Sequence, residues 1–317
     1  IQRGLLDPHQ PRALHGSVWS GTFAIELEHE AQRLISSAAQ PHPGDDDRLD
    51  LCHLATYTLD DAGTREIDDA VSLDVQNGKV WIWVHIADPA RLISPGSPLD
   101  QEARRRATSL YLADGVLPML PLGLAAGPLS LRAGQRTAAI SVSVRLDSAG
   151  AIAERRIARS WVQPRYGLTY ADGDELIELA PPGDETLADL SQLMQLRSRW
   201  RRQQGALMFD RMEGRFRRSD GALSLQLVEP SPARLMVSEA MLLMGAVVAE
   251  FGCQHELALP FRSQPPAELP SQTELDQLPE GPARDAAIKR CLSRGVQGTQ
   301  PMAHFSLGLS AYVQATS

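Results

Sequence analysis

Ten consecutive residues, Asp60 to Asp69, hold the carboxylates Asp60, Asp61, Glu66, Asp68 and Asp69 against a single cation, Arg65. Carboxylates this close repel one another. Either the loop is splayed into water as an acidic turn, or a cation sits among them and lets several stay ionised together. A calcium loop of the EF-hand kind does not fit: counting from Asp60, Ala62 falls on the third ligand position and Arg65 where the turn glycine belongs. Donors that are all oxygen suit magnesium, which keeps several waters and shares its other positions with phosphate. A site built from Asp60, Glu66, Asp68 and Asp69 could therefore run phosphodiester hydrolysis, one ion activating water and a second stabilising the leaving oxygen. At this point the metal site and the solvated turn are both open.

The elements that must position these residues are partly readable. Asn77-Gly78, between the apolar runs Ala70 to Val75 and Val80 to Ala87, is a type I′ hairpin signal. A two-residue turn there sets Asp68 opposite Ala87 and Ile67 opposite Asp88. Asp88 is thereby expected beside the cluster, although Asp88-Pro89 also reads as a turn starter. Leu51 to Leu59 reads as the strand leading into the acidic residues. Downstream, Pro98 to Leu110 reads as a helix, and Ala139 to Leu146 and Ile152 to Val162 as a second hairpin around Ser148-Ala149-Gly150. Leu187 to Gln204 reads as a long amphipathic helix and Val237 to Phe251 as a more buried one. Strands and helices mix without a βαβ rhythm, no repeat period shows, and no glycine-rich phosphate loop follows a strand, so the chain reads as α+β. Upstream, residues 1 to 47 read as a connector with one helix from about Thr22 to Ser37. The acidic run Gly44-Asp45-Asp46-Asp47 reads as a solvated linker at a domain boundary.

The 317-residue chain is 43% hydrophobic, enough for a large core. No uninterrupted run reaches the ~18–20 apolar residues of a membrane span, so no membrane partner is expected, and no targeting peptide is visible. Cys52, Cys253 and Cys291 are too scattered for a disulfide framework or a zinc site, and the eight His show no paired spacing. Any metal is expected on oxygen, and the setting is expected to be the reducing cytoplasm. A net charge of −8 argues, taken alone, against a nucleic-acid partner. The cations, however, are concentrated: apart from Lys79 and Lys289 all are Arg, and eight of those lie between Arg197 and Arg218. That stretch reads either as a solvated helix face or as a phosphate-binding strip.

Beyond the acidic segment Asp60 to Ala70 comes a series of short motifs. Val84-His85-Ile86-Ala87-Asp88 is followed by Pro95 to Ala103, Thr108-Ser109-Leu110-Tyr111-Leu112, Val116 to Pro121 and Leu129-Ser130-Leu131-Arg132. Further on stand Leu168-Thr169-Tyr170, Gly205 to Phe209, Ser238-Glu239-Ala240-Met241, His304 to Leu307 and Ala311 to Ser317. In order and spacing these resemble the RNB catalytic domain of the ribonuclease II and ribonuclease R exoribonucleases, from about residue 48 to the end. The resemblance implies an α+β fold whose mixed, largely antiparallel sheet is flanked by helices around a deep RNA channel. It implies a magnesium-dependent, processive 3′-to-5′ hydrolysis of single-stranded RNA to nucleoside 5′-monophosphates, with one or two Mg²⁺ and Mn²⁺ as a substitute. Asp60, Glu66, Asp68 and Asp69 would hold metal, and Asp68 and Asp69 would be catalytic, Asp69 above all. Tyr111 and Phe209 match aromatic positions that stack the bases at the 3′ end. Tyr170 and Glu239 match positions near the terminal sugar, where a 2′-hydroxyl distinguishes RNA from DNA. The arginines from Arg197 to Arg218 would meet phosphates, and the protein would act as a monomer.

Two departures from that family pattern stand out. Glu66 occupies a position that is usually Asp, and its extra methylene reaches farther. The chain also ends at Thr316-Ser317, where the family continues into a motif with a charge-stabilising arginine and then an RNA-binding OB-fold domain. Residues 48–317 are thus expected to be an RNB domain cut short at its C-terminal end. The alternative from another class is a catalytically impaired RNB protein acting as an RNA-binding or scaffolding module.

Overall fold

The computed structural model describes residues 21–112, 115–209, 213–219 and 222–314. Its first half contains α1 (Ile25–Ser37), β1 (Leu49–Asp50), β2 (Thr56–Asp60), β3 (Asp69–Gln76), β4 (Lys79–Ala87), α2 (Pro98–Arg106), β5 (Leu110–Leu112), β6 (Gly115–Leu117) and α3 (Leu122–Ala125). There follow β7 (Thr137–Leu146), β8 (Ile152–Val162), β9 (Tyr166–Thr169), α4 (Tyr170–Leu179), α5 (Thr186–Gln203), β10 (Glu213–Ser219), β11 (Ala222–Val228) and α6 (Pro232–Gln254). The last elements are β12 (Phe261–Ser263), α7 (Gln272–Asp276), α8 (Pro282–Cys291) and β13 (Val296–Gly298).

Seven strands form one sheet in the order β1-β8-β7-β4-β3-β2-β9. The inner pairings are antiparallel, and the two outer ones, β1 on β8 and β2 on β9, are parallel. The fold is α+β around a mixed, largely antiparallel sheet, as the sequence implied. The β3–β4 hairpin has the predicted register: Asp69 pairs with Ile86, and Ala87 N donates to Asp68 O at 2.8 Å. Asn77 (φ 53°) and Gly78 (φ 73°) both take the positive φ that a type I′ turn demands.

Alternation along the strands divides the core. Val71, Ile82, Val84 and Val142 pack with Leu190 and Met194 of α5 and with Met236, Ala240 and Leu243 of α6. Ala70, Trp81, Trp83, Ala139 and Val162 form a second cluster with Leu131. His85 is fully buried, with Nε2 2.9 Å from Ser72 Oγ and Nδ1 2.7 Å from Ser141 Oγ, and Ser141 in turn meets Ser160 at 2.5 Å. Burial pulls His85 down to about 3, so the ring is neutral and ties four adjacent strands together through hydroxyls.

Three sequence expectations need correction. The helix expected over Pro98 to Leu110 stops at Arg106, because Ala107 turns left-handed (φ 68°), and Leu110–Leu112 pairs with Gly115–Leu117 instead. α6 is long and apolar enough to cross a membrane, although no uninterrupted apolar run announced it. Charged residues such as Glu239 and Glu250 break the run but not its apolar character, and the helix lies against the sheet with Met236, Ala240 and Leu243 in the core. Finally, the acidic run after α1 is not a solvated linker throughout. Asp45 accepts from Arg91 Nε at 2.9 Å and Nη2 at 2.8 Å and lies 3.5 Å from Arg48, and the Arg91 bonds hold its carboxyl far below the usual carboxylate range. α1 itself docks on the body, with Ala31 packed among Leu99, Leu120 and Leu124.

Candidate active site

β2 and β3 deliver the acidic residues from two directions. β2 pairs with β3 only at Thr56 and Tyr57, then leaves it and follows β9, so that Asp60 pairs with Thr169. Asp69 opens β3, and the intervening loop is pinned at its far end: Ile67 N donates to Ser130 Oγ at 3.0 Å, and Leu131 N donates to Ile67 O at 2.8 Å. The Leu129-Ser130-Leu131 motif therefore serves as the peg on which the acidic loop hangs.

The carboxylates converge closely enough to feel one another. Burial, with Asp68 and Asp61 nearby, pushes Asp60 up to about 6. Burial, with Asp60 and Asp68 nearby, pushes Asp69 up to about 7, and burial with Glu66 raises Asp68. A half-buried set of like charges is costly unless a cation compensates it. Glu66 is braced from outside the loop: Ser109 Oγ donates to its Oε2 at 2.8 Å and Tyr111 Oη approaches the same oxygen at 3.5 Å, while buried Oε1 has no hydrogen-bond partner. Among the described residues no group of three or more His, Cys, Asp or Glu side chains is arranged to hold a metal ion. The donors of the acidic loop are nevertheless all carboxylate oxygens, and buried Glu66 Oε1 lacks a partner, which is the chemistry a hard cation such as magnesium takes.

Asp88, expected beside the cluster, belongs elsewhere. The chain turns away after Ala87, Asp88 Oδ2 takes Arg48 Nη2 at 2.6 Å, and Oδ1 accepts from Ala90 N at 3.2 Å, capping the turn Pro89–Arg91. Tyr111, 60% exposed, stands at the edge of the acidic loop through its contact with Glu66. Tyr170, the first residue of α4 behind a Thr169–Asp172 capping box, has its phenol pushed up to about 12 by burial and by Asp69 and Asp60.

The sequence profile of the RNB domain family matches residues 48–317, which include every one of these residues. The chain belongs to that family. It is 42% identical over 319 residues to an uncharacterized ribonuclease of Synechocystis sp., covering 100% of this chain and 48% of that protein. It is 40% identical over 278 residues to the chloroplastic/mitochondrial ribonuclease II of Arabidopsis thaliana, covering 85% of this chain and 34% of that one. The chain thus spans less than half the length of either of these two relatives. Its fold resembles that of Mycoplasma genitalium RNase R, solved with ribose-methylated single-stranded RNA, at a TM-score of 0.82 and 20% identity, over 95% of this chain and 52% of that one.

Other residues expected to meet RNA in this RNB domain lie differently. Phe209 is half-buried, with Lys289 Nζ of α8 4.0 Å from its ring centre. Glu239 is 1% exposed and both its oxygens are taken by Arg201, Oε2 accepting from Nε at 2.9 Å, so in this structure it serves an interior ion pair. Arg201 also donates to Leu307 O at 2.9 Å. Arg197 is likewise interior: its Nη1 donates to Gly150 O at 3.1 Å, and burial together with Arg201 lowers it to about 10. The phosphate-binding strip from Arg197 to Arg218 therefore loses two of its members to the core. Arg199 and Arg202 stay exposed, and the side chains of Arg211 to Arg218 lie outside the described residues. Sequence reasoning missed Ser109 as the brace of Glu66 and Arg234, whose Nη2 donates to Asp61 Oδ1 at 2.7 Å. No spacing rule could have found either, since each meets the acidic loop only through the tertiary fold.

Proposed function

We propose that this RNB domain is the catalytic part of an exoribonuclease that hydrolyses single-stranded RNA processively from its 3′ end and releases nucleoside 5′-monophosphates. The observation that carries this reading is the half-buried carboxylate set Asp60, Asp68 and Asp69, delivered by two strand ends whose registers are fixed. Together with Glu66 these would hold magnesium, which supplies a polarised water and charge compensation at the scissile phosphate. The chain's own residues do the rest. Asp69, the first residue of the β3–β4 hairpin, and Asp68, tied just before it by the bond from Ala87 N, hold their oxygens at one fixed place against the phosphate. Tyr111 offers an exposed ring on which a base stacks regardless of sequence, and its contact with Glu66 links base holding to the acidic loop. Phe209 offers a second ring, and Tyr170 faces the terminal ribose. We infer further that the protein acts as a monomer and in the cytoplasm, a reducing setting that suits its three scattered free cysteines.

The test is digestion of a 5′-labelled unstructured RNA by the full-length protein, with magnesium or with EDTA, beside Asp69→Asn. Magnesium-dependent shortening to one small end product, lost in the variant, is the expected result. RNA that is bound but left intact would replace the hydrolase with the scaffolding module, and RNA that is not bound at all would overturn both.

A further inference from the structure

Three segments meet at one corner of the acidic site: the end of β2 at Asp60 with Asp61 just beyond it, the start of α4 with Tyr170, and the first turn of α6 with Arg234. The junction is tight. A Cβ on Gly173 would stand 3.2 Å from Ala233 Cβ and closer still to Leu59, so only glycine lets α4, α6 and β2 approach this far. Ala233 N donates to Asp174 Oδ1 at 2.8 Å, which fastens the start of α6 to α4. Arg234 makes two contacts there. Its Nη2 donates to Asp61 Oδ1 at 2.7 Å, and its guanidinium carbon lies 4.0 Å from the centre of the Tyr170 ring. The two charged side chains are only 26% and 28% exposed, so both contacts are partly withdrawn from water, where a cation over an aromatic face gains strength.

We propose that Arg234 is a positioning residue for the 3′-terminal nucleotide: held by Asp61, it fixes the ring of Tyr170 and, through that ring, the preference for ribose over deoxyribose. This rests on the reading of Tyr170 as the residue that meets the terminal sugar. A hydroxyl that tells a 2′-OH from a hydrogen must be held to within about 0.5 Å, and a tyrosine on the first turn of a helix needs a support to achieve it. Arg234 suits that task because a planar guanidinium can stack on the ring and still direct an N–H to Asp61, which a lysine ammonium does poorly. Asp61 thereby has a different part from its neighbours: it anchors the arginine instead of joining the metal-binding set.

The experiment measures kcat/KM in the full-length protein for an RNA and for the same RNA with one deoxynucleotide at its 3′ end, and takes the ratio. Arg234→Met should lower the ratio by roughly tenfold, the effect of losing one partly desolvated cation–π contact. Tyr170→Phe should lower it as well, the double variant should fall no further than Tyr170→Phe alone, and Arg234→Lys should recover part of the loss. Should Arg234→Met fail to fold, Asp61→Asn releases the arginine without removing it and should also lower the ratio. An unchanged ratio in Arg234→Met, or in Asp61→Asn where that is the folded variant, overturns the proposal. If Tyr170→Phe still lowers the ratio in that case, the sugar reading of Tyr170 stands and only the role of Arg234 falls; if it does not, both fall.

Discussion

Asp69 is held under conflicting demands, since burial and two neighbouring carboxylates raise it to about 7 while the proposed reaction needs it ionised. Asp69→Asn should abolish hydrolysis and, in EDTA at pH 7.5, stabilise the protein by about 1–2 kcal/mol, because the buried like charge is gone. Thermal unfolding with and without magnesium checks this, and a variant less stable than wild type in EDTA would contradict it. Glu239 answers to a different force. Its removal strands the Arg201 guanidinium in the interior, so Glu239→Ala should cost about 3–5 kcal/mol in urea unfolding and Glu239→Gln distinctly less. The residue types at the acidic loop were legible because five carboxylates in ten residues demand a physical explanation. Their partners were not, since Ser109, Arg201 and Arg234 are ordinary polar residues until the fold chooses their neighbours.

Between residues and domain stand the elements, and legibility there followed locality. The β3–β4 hairpin announced its own register through Asn77-Gly78, and the β7–β8 pair, α5 and α6 followed from periodicity within a few residues of their observed bounds. The parallel edge did not. β9 is four residues long, its partner β2 lies more than a hundred positions earlier, and nothing local in Tyr166–Thr169 distinguishes a strand from a loop. The Gly173 contact is where this edge is most vulnerable. Gly173→Ala gains helix propensity but drives a methyl into Leu59 and Ala233, so it should destabilise by about 1–3 kcal/mol and reduce hydrolysis, because α4 carries Tyr170 and Leu59 precedes Asp60. Urea unfolding paired with the RNA digestion measures both losses.

Across the whole molecule, two buried systems set opposite pH trends. The raised carboxyls of Asp60 and Asp69 contribute stability that is full below about pH 4 and lost as pH rises through 6 to 7. Neutral His85, lowered to about 3, contributes stability that is full above about pH 6.5 and lost as pH falls toward 3. Without metal the two carboxyls outweigh the one imidazole, so the melting temperature should fall between about pH 4.5 and 7. With saturating magnesium the carboxyl contribution is cancelled, and the trend should reverse and follow His85. A melting series at both conditions reads this directly; parallel trends would show that the carboxylates do not hold the ion. The departure of β2 from β3 after Tyr57 also sets an order of assembly. A local hairpin such as β3–β4 closes in about 1–10 μs, long before a pairing as distant as Asp60 with Thr169 can be found. Asp68 and Asp69 are therefore in place early, and Asp60 arrives only when β9 docks. Repulsion among the three is therefore met at that later pairing, and it slows the docking of β9 instead of the closing of the hairpin.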